Sequence, residues 1–116
     1  MHFDEYQKES RKVATYPMLG SNILYPAMGA AGEAGELLDK VKKHWRNTNA
    51  LIPELKDLLT KEQVDAIVYE IGDVLWYLAA LASELGLSLE EIAEKNLAKL
   101  FDRYARGKIK SEGDNR

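Results

Sequence analysis

Glu33 and Glu36 stand three residues apart in AAGEAGELL, and Glu70 and Asp73 stand three apart in YEIGDVL. On helices, each pair projects from one face across a single turn. Two such helices packed antiparallel bring four carboxylates together, and like charges at that range repel strongly unless cations lie between them. An all-oxygen donor set suits hard divalent ions, Mg²⁺ first and Mn²⁺ in its place. Carboxylate-bridged iron sites in helical bundles pair Glu with a histidine three residues on, and the sequence has no Glu-x-x-His. Cysteine is absent, which removes thiolate zinc sites, disulfides and cysteine nucleophiles together. His44, beside Trp45, reads as a surface or packing residue. Glu54 and Asp57 repeat the acid spacing and remain an alternative second pair. They follow Pro53 in a loop-like stretch, whereas Glu70 and Asp73 lie on a long helix able to hold ligands rigidly.

A second constellation is cationic. Asn96, Lys99 and Arg103 fall at steps of 3 and 4 along one helical stripe. Arg suits phosphate oxygens bidentately and Lys as a point charge, although pairing with Asp102 or Glu94 would use them equally well. Asn96 lies among Ile92, Ala93 and Leu97, where an unpaired amide costs about 1–3 kcal/mol, so a partner is expected for it. Lys40 and Lys43 continue the stripe of Glu33 and Glu36, and Glu36 with Lys40 forms an i,i+4 pair that supports the helix. Gly32, Gly35 and Gly72 each cost on the order of 1 kcal/mol inside a helix, which points to a close approach beside the acid pairs.

The elements that must position these groups are helices. Apolar residues recur at 3 and 4, and no segment alternates with period 2 for long. The pattern predicts a first helix over about 3–14, then a loop in YPMLGSNILYP with its two prolines and glycine. A second helix is expected from Pro26 to about Arg46, with Ala30, Ala34, Leu37, Leu38, Val41 and Trp45 facing the core. A short helical turn is expected around 54–59. Thr60 and Gln63 have the form of a capping box and open the strongest helix, which ends before Gly86. From Val74 to Ala82 this helix is apolar nearly all round, so it must be covered on more than one side. Ser88 and Glu91 repeat the capping pattern and open a fourth main helix, with Leu89, Ile92, Ala93, Leu97, Leu100, Phe101 and Tyr104 on one face. The fold class is therefore all-α, a four-helix-bundle-like arrangement that a second copy would complete.

A chain of 116 residues, 46% apolar and 30% charged, holds one domain. It divides into an N-terminal helix and loop (1–25), a helical core that carries the acid pairs and is the candidate catalytic part (26–108), and a polar tail (109–116). A formal net charge of −3 gives no footprint for a nucleic-acid polymer. The N-terminus has no apolar signal region, and the longest apolar run is about half of a membrane span, so a cytoplasmic protein with no membrane partner is expected.

The stretches GEAGELLDKVKK and EIGDVLWYLAALASELGLSLEEIAEKNLAKLFDRY resemble the MazG-type, all-α nucleoside triphosphate pyrophosphohydrolases. The shared pattern is E-x-x-E, then E-x-x-D, then a Lys and an Arg on the last helix, over roughly 26–108. The resemblance implies Mg²⁺ held by Glu33, Glu36, Glu70 and Asp73, with water attacking the α-phosphorus to give nucleoside monophosphate and pyrophosphate. Glu36 would take the proton from that water. Lys99 and Arg103 look like phosphate contacts, and Asn96 like a contact to the sugar or base. Trp76, Tyr77 and Tyr25 could also touch the base, with core packing as their first role. The resemblance further implies a homodimer or homotetramer. The chain departs from the pattern at Gly32 and Tyr69, where many relatives carry an extra acid, and in a long linker NTNALIPELKDLL. Two alternatives stay open: a phosphoribosyl-ATP-type pyrophosphohydrolase, and a non-catalytic helical module that binds a nucleotide or a partner protein.

Overall fold

The computed structural model describes residues 1–107; the expected polar tail, and Lys108 before it, lie outside the described residues. Helices α1 (Phe3–Arg11), α2 (Leu24–Thr48), α3 (Leu55–Leu58), α4 (Lys61–Glu84) and α5 (Leu89–Ala105) follow in order, with a 3₁₀ turn at Ile52–Glu54, and no strand occurs among the described residues.

Local chemistry sets the helix ends. The Thr60 hydroxyl accepts from the Gln63 N–H at 3.2 Å, and the Gln63 side chain accepts from the Thr60 N–H at 2.9 Å, closing the capping box of α4. At the start of α5 only the Ser88 half forms, its hydroxyl accepting from the Glu91 N–H at 3.0 Å. Gly86, at φ +72°, takes the left-handed turn between these helices. Helix α2 begins two residues ahead of Pro26 because the Asn22 side chain accepts from the N–H groups of Leu24 and Tyr25. It ends at Asn49, which adopts φ +50°, a conformation asparagine tolerates. Helix α1 stops at Arg11, short of the expected end, and Val13 and Ala14 close a turn on Ser10 and Arg11.

Helices α2 and α4 form the central antiparallel pair. Going up α2, Tyr25, Glu33 and Lys40 meet successively earlier positions of α4, namely Tyr77, Asp73 and Glu70. Helix α1 lies across the α4–α5 corner, held there by Gln7, whose amide donates to Ser83 Oγ and the Leu87 carbonyl and accepts from the Leu89 N–H. An 18-residue stretch of α4 is more apolar than the longest unbroken run indicated: its mean hydropathy reaches 1.4, enough for a membrane span by length and composition alone. Only 22% of that stretch is buried within the chain.

The core is correspondingly thin. Ala14, Tyr16 and Ala80 form its centre, with Trp76 packed on it. The radius of gyration is 17.2 Å, against about 13 Å for a compact chain of this length. Of the residues expected to face inward on α2, Ala34, Leu38 and Trp45 are exposed. On α5 the apolar stripe continues to Phe101 (68% exposed) and Tyr104 (75%), which a single chain leaves uncovered.

Candidate functional site

The antiparallel register of α2 and α4 sets Glu33 opposite Glu70 and Asp73, and one carboxylate oxygen from each of the three lies within 4.8 Å of the others. Glu70 is buried, Glu33 half-buried and Asp73 exposed, so the cluster opens on one side. Glu33 Oε2 and Glu70 Oε2 are both buried without a hydrogen-bond partner. Buried acceptors are nearly always satisfied, and leaving a charged one unpaired is costly. Burial pushes the Glu33 carboxyl up to about 7, helped by the neighbouring Glu36, Glu70 and Asp73. Glu70 is held below its ordinary value by Lys40, whose Nζ donates to Glu70 Oε1 at 2.6 Å. One ammonium thus faces three carboxylates, and two oxygens remain unsatisfied. An all-oxygen donor set with orphaned buried oxygens fits a hard divalent cation.

The other sequence-derived residues stand apart. Glu36 is exposed one turn further along α2 and outside the group of three, though its charge still acts on Glu33 and Lys40. Asn96 and Lys99 are exposed on α5, so the Asn96 amide is open to solvent rather than buried against the partner expected for it. Arg103 is buried at 8% exposure. Among the described residues no ion pair joins Lys99 or Arg103 to the acids. Glu54 and Asp57 are exposed beside and within α3, and among the described residues no third acid joins them.

Next to the acids the surface becomes aromatic. A cleft of about 340 Å³ is lined by Val13, Glu33, Asp73, Trp76 and Tyr77. A neighbouring one of about 220 Å³ shares Val13, Trp76 and Tyr77 and adds Tyr16, Pro17 and Tyr25. Tyr16 stacks on Tyr25 with centroids 5.2 Å apart, and Trp76 meets Tyr77 edge to face at 5.1 Å. The loop carrying Tyr16 is fastened by Glu84, whose side chain has no solvent exposure. Glu84 pairs with Arg11 and accepts from the N–H groups of Gly20 and Asn22. A larger hollow of about 580 Å³, between α1 and Ser83 of α4, contains none of the cluster acids.

Three residues here escaped the sequence reading. Lys40 was assigned to helix support, yet it reaches across to α4; its place on the Glu33–Glu36 stripe was the available signal. Glu84 and Gly29 had no motif. The glycines at 32, 35 and 72 were expected to allow a close approach, but a Cβ at any of them would meet nothing within 4 Å. The tight position is Gly29, where a Cβ would collide with the Tyr77 ring.

The profile of the MazG nucleotide pyrophosphohydrolase domain matches residues 27–107. The chain is 40% identical over 121 aligned residues to the Gene 37 protein of Mycobacterium phage L5, with both chains covered in full. It is 33% identical over 72 residues to the uncharacterized protein YvdC of Bacillus subtilis (strain 168), covering 62% of this chain and 66% of that one. No solved structure matches.

Proposed function

This chain belongs to the MazG nucleotide pyrophosphohydrolase domain family, and from that membership we propose that it is a Mg²⁺-dependent enzyme that splits nucleoside triphosphates between the α- and β-phosphates. The observation that carries the reading is the pair of buried, unpartnered oxygens on Glu33 and Glu70, with an Asp73 oxygen within 4.8 Å. Bound there, a divalent cation supplies charge neutralisation and Lewis acidity for attack on the α-phosphorus. Glu33, Glu70 and Asp73 hold it. Glu36, exposed beside them, accepts the proton of the attacking water. The nucleobase lies against Trp76, Tyr77 and Tyr25 in the aromatic cleft, so the triphosphate runs toward the acids.

Lys99 and Arg103 contact the phosphates, with Asn96 at the sugar. Since no ion pair brings either cation to the acids within one chain, the working site is that of an assembled homodimer or homotetramer, in which the uncovered faces of α2, α4 and α5 meet. The same reading assigns the protein to the cytoplasm, where nucleotide pools are held. Mn²⁺ would substitute for Mg²⁺ on the same oxygen donors.

A panel of ribo- and deoxyribonucleoside triphosphates, including deoxyuridine and oxidised or methylated bases, incubated with Mg²⁺ and assayed for pyrophosphate tests this. Turnover on at least one, lost in Asp73→Asn, is the expected outcome. Gly32 and Tyr69, which stand where the resemblance implies further acids, favour a second reading as a non-catalytic nucleotide-binding module. Calorimetric binding of a non-hydrolysable triphosphate with no turnover across the panel would select it, and turnover of phosphoribosyl-ATP alone would select the narrower enzyme.

A further inference from the structure

Lys40 occupies an unusual position for a residue that helical spacing would pair with Glu36. Its Nζ instead crosses to α4 and donates to Glu70 Oε1 at 2.6 Å, at the inner edge of the acid cluster. The Lys40 side chain is 41% exposed while that of Glu70 is 11% exposed, so the ammonium reaches in from the mouth of the site. Two of the buried carboxylate oxygens remain unpartnered even with Lys40 in place.

We infer that Lys40 is a tethered counter-ion, which holds Glu70 when the divalent cation is away and turns to the triphosphate when that cation is bound; this rests on the function proposed above. A divalent cation at the unpartnered Glu70 Oε2 and the Lys40 ammonium on Oε1 of the same carboxylate are close neighbours, and two positive charges repel at that range. The lysine stem is flexible and partly solvated, so exchange requires only side-chain rotation. A triphosphate brings several negative charges to the same mouth, and the released ammonium is the nearest point charge on α2 to meet them. Lys43, one turn on, is a natural control, since it is already paired with Asp39 at 2.7 Å.

The test is calorimetric titration with Mn²⁺ in the absence of nucleotide. Lys40→Gln keeps a donor for Glu70 and hence the fold; Lys40→Met removes both donor and charge. Both variants are expected to bind Mn²⁺ roughly tenfold more tightly than wild type, while Lys40→Arg and Lys43→Met stay near it. In steady state, Lys40→Gln should raise the KM for the triphosphate, with Lys40→Arg restoring it. Wild type that binds Mn²⁺ with an affinity unchanged or weakened in Lys40→Gln would overturn the counter-ion role and leave the metal centre standing. Wild type that binds no Mn²⁺ would overturn both.

Discussion

The ring of Tyr77 on α4 lies directly against the backbone of Gly29 on α2, in the space a Cβ would fill. This contact sets the floor of the aromatic cleft, because Tyr77 lines it together with Glu33 and Asp73. Gly29→Ala gains about 1 kcal/mol of helix propensity and loses about 1–3 kcal/mol to overpacking, unless the ring swings into the cleft. The expected result is a melting temperature within a few degrees of wild type and a KM for nucleotide raised about tenfold. An unchanged KM would show that the Tyr77 ring does not border the substrate.

Glu84 closes the C-terminal end of α4, two turns beyond Tyr77, and acts through the loop that carries Tyr16. Burial alone would push its carboxyl up, but hydrogen bonds from Asn22, Arg11 and Gly20 outweigh burial and hold it below the usual 4.5. A carboxylate with a lowered folded pKa contributes stability that is fully present above pH 4.5 and is lost as the pH falls below it. Glu84→Gln should lower the melting temperature by roughly 5–10 °C at pH 7, with the gap to wild type closing in acid. Thermal denaturation at pH 7 and below pH 4 checks both parts.

Glu33 has the opposite sign. Its carboxyl is raised to about 7, so between the usual 4.5 and 7 the folded protein binds more protons there than the unfolded chain. Its contribution therefore destabilises increasingly as the pH rises through that window and does so fully above it. Metal-free Glu33→Gln should melt above metal-free wild type at pH 8, with little difference near pH 5. Added Mg²⁺ should raise the melting temperature of wild type and not of the variant. A variant less stable than wild type at pH 8 would contradict this assignment of the cluster.

Phe101 and Tyr104 leave an apolar stripe open on α5, and the chain is expanded for its length. Sedimentation at micromolar concentration should give a dimer or tetramer for wild type and a smaller species for Phe101→Glu. Turnover should fall with it, because the phosphate contacts proposed for Lys99 and Arg103 would reach the acids only in the assembly. A fully active wild-type monomer would contradict this account of the open face.

The helices were legible because their ends are local: Thr60 with Gln63, Ser88 with its N–H acceptor role, and Gly86 at a left-handed turn each depend on a few adjacent residues. The start of α2 was misplaced by two residues because the Asn22 side-chain oxygen accepts from the free N–H groups of Leu24 and Tyr25, which lets the helix open ahead of Pro26. Acid spacing identified which faces of α2 and α4 carry charge, since that follows from 3.6 residues per turn. How those faces are rotated against one another is a tertiary matter. Spacing therefore could not separate Glu36, which stays outside the group of three, from Glu33, which joins it. Lys40 and Glu84 were hidden for the same reason, since each finds its partner on another element. The expected inward faces of α2 and α5 read correctly as apolar, but a single chain has too few layers to cover them.

Hydrolysis of a substrate triphosphate in ¹⁸O-enriched water with Mg²⁺, followed by mass spectrometry of the products, tests most directly whether Glu33, Glu70 and Asp73 form one phosphoryl-cleaving centre. The account predicts label in the nucleoside monophosphate, unlabelled pyrophosphate, and no labelled product from Asp73→Asn. Label in orthophosphate or in pyrophosphate, or full turnover by Asp73→Asn, would contradict it.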